Sequence, residues 1–217
     1  AGAAAAAELG YLSAQELESR LEELKSALGS LREGMFAPKN RGKVFQKTDE
    51  GYDISDSLLR RGYLSEEEVA RYPGVTSAAG VHPVIECTQN IPCNPCQDAC
   101  PKGCIKVGAD IVSLPAVDEK AVCIGCGLCV ASCSGQAVFL VNEDVGDGFA
   151  AVTVPYEFQP VPQKGERGVA LDRSGAVVCG AEIVDVRTSP AFDHTYLLTF
   201  RVPGGACART RFWRREA

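Results

Sequence analysis

The chain has 217 residues and a formal net charge of −6; 46% of its residues are hydrophobic and 23% are charged. This acidic balance argues against nucleic acid as a partner, and no apolar run approaches the roughly 20 residues needed to span a bilayer. The length exceeds one minimal domain but does not suggest two large ones.

The N-terminal region, residues 1–80, contains no cysteine and is predicted to be a helical extension. Ser13 to Glu16 form a capping-box pattern at a helix start, and Gly29 is a plausible stop. Shorter helices are predicted from Asp53 to Arg61 and from Ser65 onwards. One face of the first helix carries a leucine stripe, which must be buried against a partner or against the protein's own sheet: Leu17, Leu21, Leu24 and Leu28.

The central region, residues 81–147, carries nine of the eleven cysteines, seven of them in two runs. Three thiols at gaps of two residues, followed by a fourth after a gap of three, are the pattern that holds a cubane iron–sulfur cluster. Two such runs predict two [4Fe-4S] clusters. The runs are Cys93, Cys96 and Cys100 followed by Pro101, and then Cys123, Cys126, Cys129 and Cys133.

The C-terminal region, residues 148–217, is predicted to be a small antiparallel β domain with a basic, aromatic tail. Asp172 to Gly175 is predicted to be a tight turn between two strands. The predicted strands cover residues 150–155, 176–187 and 195–202.

The spacing of the cysteines also bears on the cellular compartment in which the protein is expected. The first residues, Ala1 to Ala7, lack the basic flank and long apolar stretch of a secretory signal. The cysteines cluster at metal-ligand spacing instead of being dispersed as in a small disulfide scaffold. A reducing cytosol is therefore the expected location.

The central region resembles the bacterial-type ferredoxins that carry two [4Fe-4S] clusters. In that family the fourth cysteine of each run ligates the cluster of the other run. The resemblance implies an α+β fold with a pseudo-twofold ferredoxin-like core, flanked by the helical extension and the β domain. It also implies two ligand sets: Cys87, Cys93, Cys96 and Cys133 for cluster 1, and Cys100, Cys123, Cys126 and Cys129 for cluster 2.

Cluster 1 departs from the family at one ligand. The usual spacing would place that ligand at Asn90, whereas five residues separate Cys87 from Cys93. We expect Cys87 to be the ligand, with the intervening loop bulging outwards. A three-iron cluster, or a non-cysteine ligand such as Asn90, is the alternative.

Structural zinc is the simpler reading of paired cysteines, but it usually takes two separated pairs, whereas here each run has three or four in succession. Cys104 is expected to be a small buried residue and not a ligand. Cys179 and Cys207 have no partner at ligand spacing and are expected to be core or neutral residues. His82 and His194 are expected to be solvent-facing loop residues, although a role for His82 near cluster 1 is an alternative.

No dinucleotide fingerprint, complete phosphate loop or spaced nucleophile–base pair is present, so the chain is not expected to be an enzyme by itself. Two functions remain: an electron-transfer subunit attached to a catalytic partner, or a free-diffusing ferredoxin carrier. Most of the chain lies outside the cluster region, which favours the subunit.

A narrower resemblance concerns the segment Val84 to Cys96 together with Val154 to Phe158. These segments resemble ferredoxin-like subunits of FAD-dependent amine or amino-acid dehydrogenases, of the proline dehydrogenase and hydrogen cyanide synthase type. The resemblance implies an FAD-containing catalytic partner and an external electron acceptor. An iron–sulfur subunit of a molybdopterin or hydrogenase-type complex is the further alternative.

Overall fold

The computed structural model describes residues 15, 16, 18–20, 22–26, 58 and 61–216. The chain divides into two compact units, residues 1–47 and 48–217. The described residues of the first unit are helical, as predicted, and Leu24 is 60% exposed. Ser13 and the remaining leucines of the predicted stripe, Leu17, Leu21 and Leu28, lie outside the described residues.

The second unit begins, in its described part, with short helical segments. Residues 58 and 61 are helical, and Gly62 follows with a φ of +79°, which a glycine adopts without strain. Helix α1 spans Glu66–Val69; it begins after Ser65, as predicted, and Ser65 and Glu68 form a capping box. There the Ser65 hydroxyl accepts from the Glu68 backbone N–H (3.3 Å), while the Glu68 carboxylate accepts from the Ser65 N–H (2.7 Å).

A seven-stranded antiparallel sheet dominates this unit, in the order β1-β4-β5-β8-β7-β6-β9, and a separate ribbon pairs β2 with β3. Short helices complete an α+β architecture. The strands are β1 Val81–Ile85, β2 Ile105–Lys106, β3 Ala116–Val117, β4 Val138–Asn142, β5 Phe149–Tyr156, β6 Arg167–Leu171, β7 Val177–Arg187, β8 Tyr196–Pro203 and β9 Phe212–Arg215. The helices after α1 are α2 Pro95–Asp98 and α3 Leu128–Ala131, with 3₁₀ turns at Pro190–Phe192 and Gly204–Ala206.

The central region runs strand–helix–strand twice, first β1-α2-β2 and then β3-α3-β4. The two halves interlock, because β1 pairs with β4 and β2 pairs with β3. Pro83 lies opposite Leu140, and Ile85 lies opposite Val138. Since residues two apart on a strand share a face, these two cross-strand pairs project from the same side of the sheet.

The three strands predicted for the C-terminal region are confirmed as β5, β7 and β8, and the turn at Asp172 to Gly175 joins β6 to β7. The predicted boundary between residues 147 and 148 falls between β4 and β5, which are hydrogen-bonded neighbours. The sheet is therefore continuous from the cysteine region into the C-terminal strands. Its core includes Trp213, Phe200 and Ile183, all essentially inaccessible to solvent.

No helix among the described residues is long and apolar enough to cross a membrane.

Candidate functional site

Nine cysteines line two neighbouring cavities, four in cavity 1 and five in cavity 2. The space within cavity 1 is about 410 Å³ and that within cavity 2 about 310 Å³, both including the part open to solvent. The runs cross: Cys133 from the second run reaches cavity 1, and Cys100 from the first run reaches cavity 2. Each cavity thus gathers one of the two ligand sets: Cys87, Cys93, Cys96 and Cys133 in cavity 1, and Cys100, Cys123, Cys126 and Cys129 in cavity 2.

The sheet supplies the apolar walls behind the thiols. The Ile85–Val138 pair lines cavity 1, and the Pro83–Leu140 pair lines cavity 2. The alternation of β1 and β4 therefore places both cavities side by side on one face of the sheet. Dry apolar walls of this kind limit the access of water to whatever the thiols hold.

Short helices and tight turns carry the thiols. Cys96 lies in α2, which starts at Pro95, and Cys129 lies in α3. Gly127 caps the start of α3 with a φ of +83°, and Gly125 has a φ of +67°. These left-handed positions fold the Cys123–Cys129 segment tightly enough to bring three thiols to one cavity.

Backbone N–H groups point at several of the sulfurs. Cys104 N lies 3.2 Å from the Cys100 sulfur, Gly125 N lies 3.4 Å from the Cys123 sulfur, and Ala137 N lies 3.4 Å from the Cys133 sulfur. Hydrogen bonds of this type stabilise the thiolate form, which is the form that binds metal.

Burial acts in the opposite direction on the deepest thiols. It raises the pKa of Cys96 to about 11 and that of Cys129 to about 12, with repulsion from the neighbouring cysteines adding to the effect. At Cys100 burial also disfavours the charge, but the backbone N–H groups that follow it prevail and lower its pKa. The pKa values of these buried thiols lie above neutral pH, so any metal that bound them would have to displace their protons.

Among the described residues, no group of three or more His, Cys, Asp or Glu side chains is placed to hold a metal ion. The thiols line the walls of the two cavities. A cubane binds its four thiolates at four separate iron atoms, so its ligands surround a volume instead of converging on one ion. The donor set and the cavities fit such a cluster.

The two candidates for the predicted fourth ligand of cluster 1, Cys87 and Asn90, lie in different surroundings. Cys87 lines the cavity, whereas Asn90 does not. The Asn90 side-chain amide instead donates to the Val112 carbonyl oxygen over 2.9 Å. The arrangement favours Cys87 over Asn90.

Cys104 was expected to be simply a small buried residue. It is buried, with 1% of its surface exposed, but it also lines cavity 2, where its thiol interacts with those of Cys100 and Cys123. The sequence signal that could have placed Cys104 beside this cavity was its position three residues after the Cys100–Pro101 turn. Neither Cys179 nor Cys207 lines cavity 1 or cavity 2, and the Cys207 thiol donates to the Gly204 carbonyl oxygen over 3.0 Å.

The two histidines differ. His194 is exposed, as expected. The expectation of a solvent-facing loop position is wrong for His82, which is 4% exposed within β1, with its Nδ1 3.0 Å from the Gly80 carbonyl oxygen. The short strand that pairs with β4 buries it.

Arginines of the C-terminal strands reach both cysteine regions, and sequence reasoning missed them. Arg187, at the end of β7, donates from Nη1 to the carbonyl oxygens of Gly125 (2.9 Å) and Cys126 (3.3 Å). Arg173 and Arg211 both bind the carboxylate of Glu86, the residue before Cys87.

Comparisons of the chain with known protein families, with curated proteins and with solved structures found no match.

Proposed function

We propose that this chain is an iron–sulfur electron-transfer subunit that carries a [4Fe-4S] cluster in each cavity. The observation that carries the proposal is the sorting of the eight predicted ligand cysteines into two cavities with crossed runs, since this is how the ligands of a two-cluster ferredoxin are shared. The interlocked β1-α2-β2 and β3-α3-β4 order supports a pseudo-twofold ferredoxin-like core.

In each cavity the residues have distinct tasks. The four thiolates would hold the cluster, which supplies acceptance and release of one electron at a time. The N–H groups of Cys104, Gly125 and Ala137 stabilise the negative charge on the sulfurs. The apolar pairs on β1 and β4 keep water away from the buried side.

Electrons would enter and leave where the cavities meet the surface. Cys93 is exposed, and Ile91 beside it is also exposed. Next to Cys123, Val122 is 78% exposed and Ile124 is 56% exposed. Apolar residues beside a thiol allow a partner to approach a cluster closely, because little polar surface must be desolvated there.

The partner we propose is an FAD-containing dehydrogenase subunit, on the strength of the sequence resemblance over Val84 to Cys96 and Val154 to Phe158. The chain itself would take no part in the chemistry of the substrate and would pass electrons to an external acceptor. All eleven cysteines are free, in keeping with a reducing cytosol.

The test of the cofactor is direct. Protein purified without oxygen, or reconstituted with iron and sulfide, is expected to be brown and to contain about eight iron and eight sulfide per chain. Chemical reduction should produce the EPR spectrum of two nearby reduced clusters. A colourless protein with zinc as its metal would contradict the proposal.

The subunit role is tested separately. The isolated chain is expected to show no substrate-dependent dye reduction, because on this proposal the flavin of the partner oxidises the substrate. Native purification from the source should bring down a flavin-containing chain, identified by its flavin spectrum and by mass spectrometry. A molybdopterin subunit in its place, or an unaccompanied chain, would favour one of the alternatives.

A further inference from the structure

Glu86 joins the end of β1 to the first thiol of cavity 1. It follows Ile85, the last residue of β1, and precedes Cys87. Its carboxylate is bound on both oxygens: Oε2 accepts from Arg173 Nε over 2.7 Å, and Oε1 accepts from Arg211 Nε over 2.5 Å and from Arg173 Nη2. The three side chains are 7–11% exposed, so the network is nearly dry.

The two arginines are themselves held by contacts to the turn that precedes β9 and to the Phe139 ring of β4. Arg173 lies in the turn between β6 and β7 and donates to the Ala208 carbonyl oxygen over 3.1 Å. Arg211 lies just before β9; its Nη1 donates to the Cys207 carbonyl oxygen over 2.9 Å, and its guanidinium lies 5.3 Å from the centre of the Phe139 ring. The Glu86 backbone N–H also donates to the Ala137 carbonyl oxygen over 2.8 Å.

Cys87 has fewer local supports than two of the other thiols of cavity 1, those of Cys96 and Cys133. Cys96 is held in α2, and Cys133 accepts the Ala137 N–H. Residues 87–92, in contrast, lie outside any helix or strand, and the nearest partner of the Cys87 thiol is the Gln89 carbonyl oxygen at 3.9 Å. The position of Cys87 therefore depends mainly on the residue that precedes it.

A buried network of this composition carries an excess charge. One carboxylate faces two guanidinium groups, and Arg211 is the more deeply buried of the two. Such networks are weak evidence for stability on their own, because desolvation offsets much of the attraction. Their best-attested use is to fix one arrangement against alternatives, and here the arrangement fixed is the start of the irregular loop.

We propose that Glu86, clamped by Arg173 and Arg211, is a positioning residue that holds Cys87 against cavity 1, so that the C-terminal strands determine whether this cavity retains a four-iron cluster. The inference rests on the proposed function for the cluster. The placement of Cys87 itself is a property of the chain and can be measured without it.

The variants separate local positioning from global folding. Glu86→Gln keeps the shape of the side chain but leaves two buried cations without a counter-charge. Arg173→Met is gentler, because it leaves a one-to-one pair of Glu86 and Arg211. Arg173→Lys keeps the charge and serves as the conservative rescue. Glu166→Gln is the control, since it neutralises a more exposed glutamate, just before β6, that pairs with Arg215 away from both cavities.

The first readout is iron content and EPR before and after ferricyanide. Loss of Fe²⁺ from an oxidised four-iron cluster, together with transfer of one electron to ferricyanide to give ferrocyanide, leaves the three-iron form, which has its own EPR signal. In Glu86→Gln and Arg173→Met we expect roughly one iron fewer of about eight per chain and a three-iron signal. The cluster of cavity 2 should keep its native spectrum, and Arg173→Lys and Glu166→Gln should match the native protein.

The second readout is alkylation of the cluster-free protein, followed site by site by mass spectrometry. Cys87 should react faster in Glu86→Gln and Arg173→Met, while Cys133 should react at its native rate. Unchanged Cys87 alkylation with native iron content would overturn the proposal, and so would equal loss of both clusters. If the native chain binds no iron, the proposed function fails. A selective change in the alkylation of Cys87 would then still support the positioning role of Glu86. If the alkylation of Cys87 were also unchanged, the positioning role would fail as well.

Discussion

Replacing Cys87 with serine is expected to disable cavity 1 and to spare cavity 2. A serine hydroxyl is a far poorer ligand for iron than a thiolate at neutral pH, and no other cysteine is free to enter cavity 1, whose remaining thiols are those of Cys93, Cys96 and Cys133. Iron content should fall from about eight to between about four and seven per chain, depending on whether a three-iron form survives. EPR of the reduced protein should retain the signal of one cluster.

Two controls sharpen this experiment. Asn90→Ala should leave iron content and spectrum unchanged, because Asn90 is turned towards the Val112 carbonyl oxygen and does not line cavity 1. Cys179→Ser removes a thiol from β7 that lines neither cavity. Iron remaining at about eight in Cys87→Ser, with loss in Asn90→Ala, would reassign the fourth ligand.

Replacing Gly127 with alanine is expected to disable cavity 2 and to destabilise the fold. Its φ of +83° is costly for a residue with a Cβ, by about 1–2 kcal/mol. The new Cβ would lie 2.2 Å from Leu197 Cδ1. Leu197 is fully buried in β8 and has little room to move, so overpacking adds about 1–3 kcal/mol. We expect a loss of about 2–5 kcal/mol in the free energy of unfolding.

The measurements are denaturant unfolding and iron content. Because Gly127 lies between Cys126 and Cys129, the iron of cavity 2 should be lost first, leaving about four iron per chain. Gly135→Ala is the matched control: it lies near Cys133, and its Cβ would meet nothing closer than the Cys133 sulfur at 4.0 Å. Adding Leu197→Ala to Gly127→Ala should relieve the collision but not the backbone strain. Native stability in Gly127→Ala alone would show that β8 does not press on this turn.

The local features of this protein were readable from its sequence. The helix start at Ser65 and the strands that became β5, β7 and β8 depend on residues close in the chain, and the structure confirms them. The cysteine runs likewise placed their members together, since gaps of two and three residues limit where neighbouring thiols can lie.

The long-range contacts were not readable in this way. Glu86 is separated from Arg173 by 87 positions and from Arg211 by 125. Their meeting depends on the order and register of seven strands, and surface arginines are common enough that no pattern marks these two. The burial of His82 has the same origin, since it follows from the pairing of β1 with β4.

The pairing of β1 with β4 has a consequence for the spacing of the two cavities. Their walls include two cross-strand pairs that lie two residues apart along the same pairing, Pro83 with Leu140 and Ile85 with Val138. Two residues along an antiparallel strand advance about 6.8 Å, and this interval is set by the backbone. Changes of side chain on either wall therefore alter the surroundings of one cavity while the distance between the two pairs stays constant. The backbone pairing thus sets the spacing, so an electron crossing between the cavities would meet the same gap whatever side chains line them.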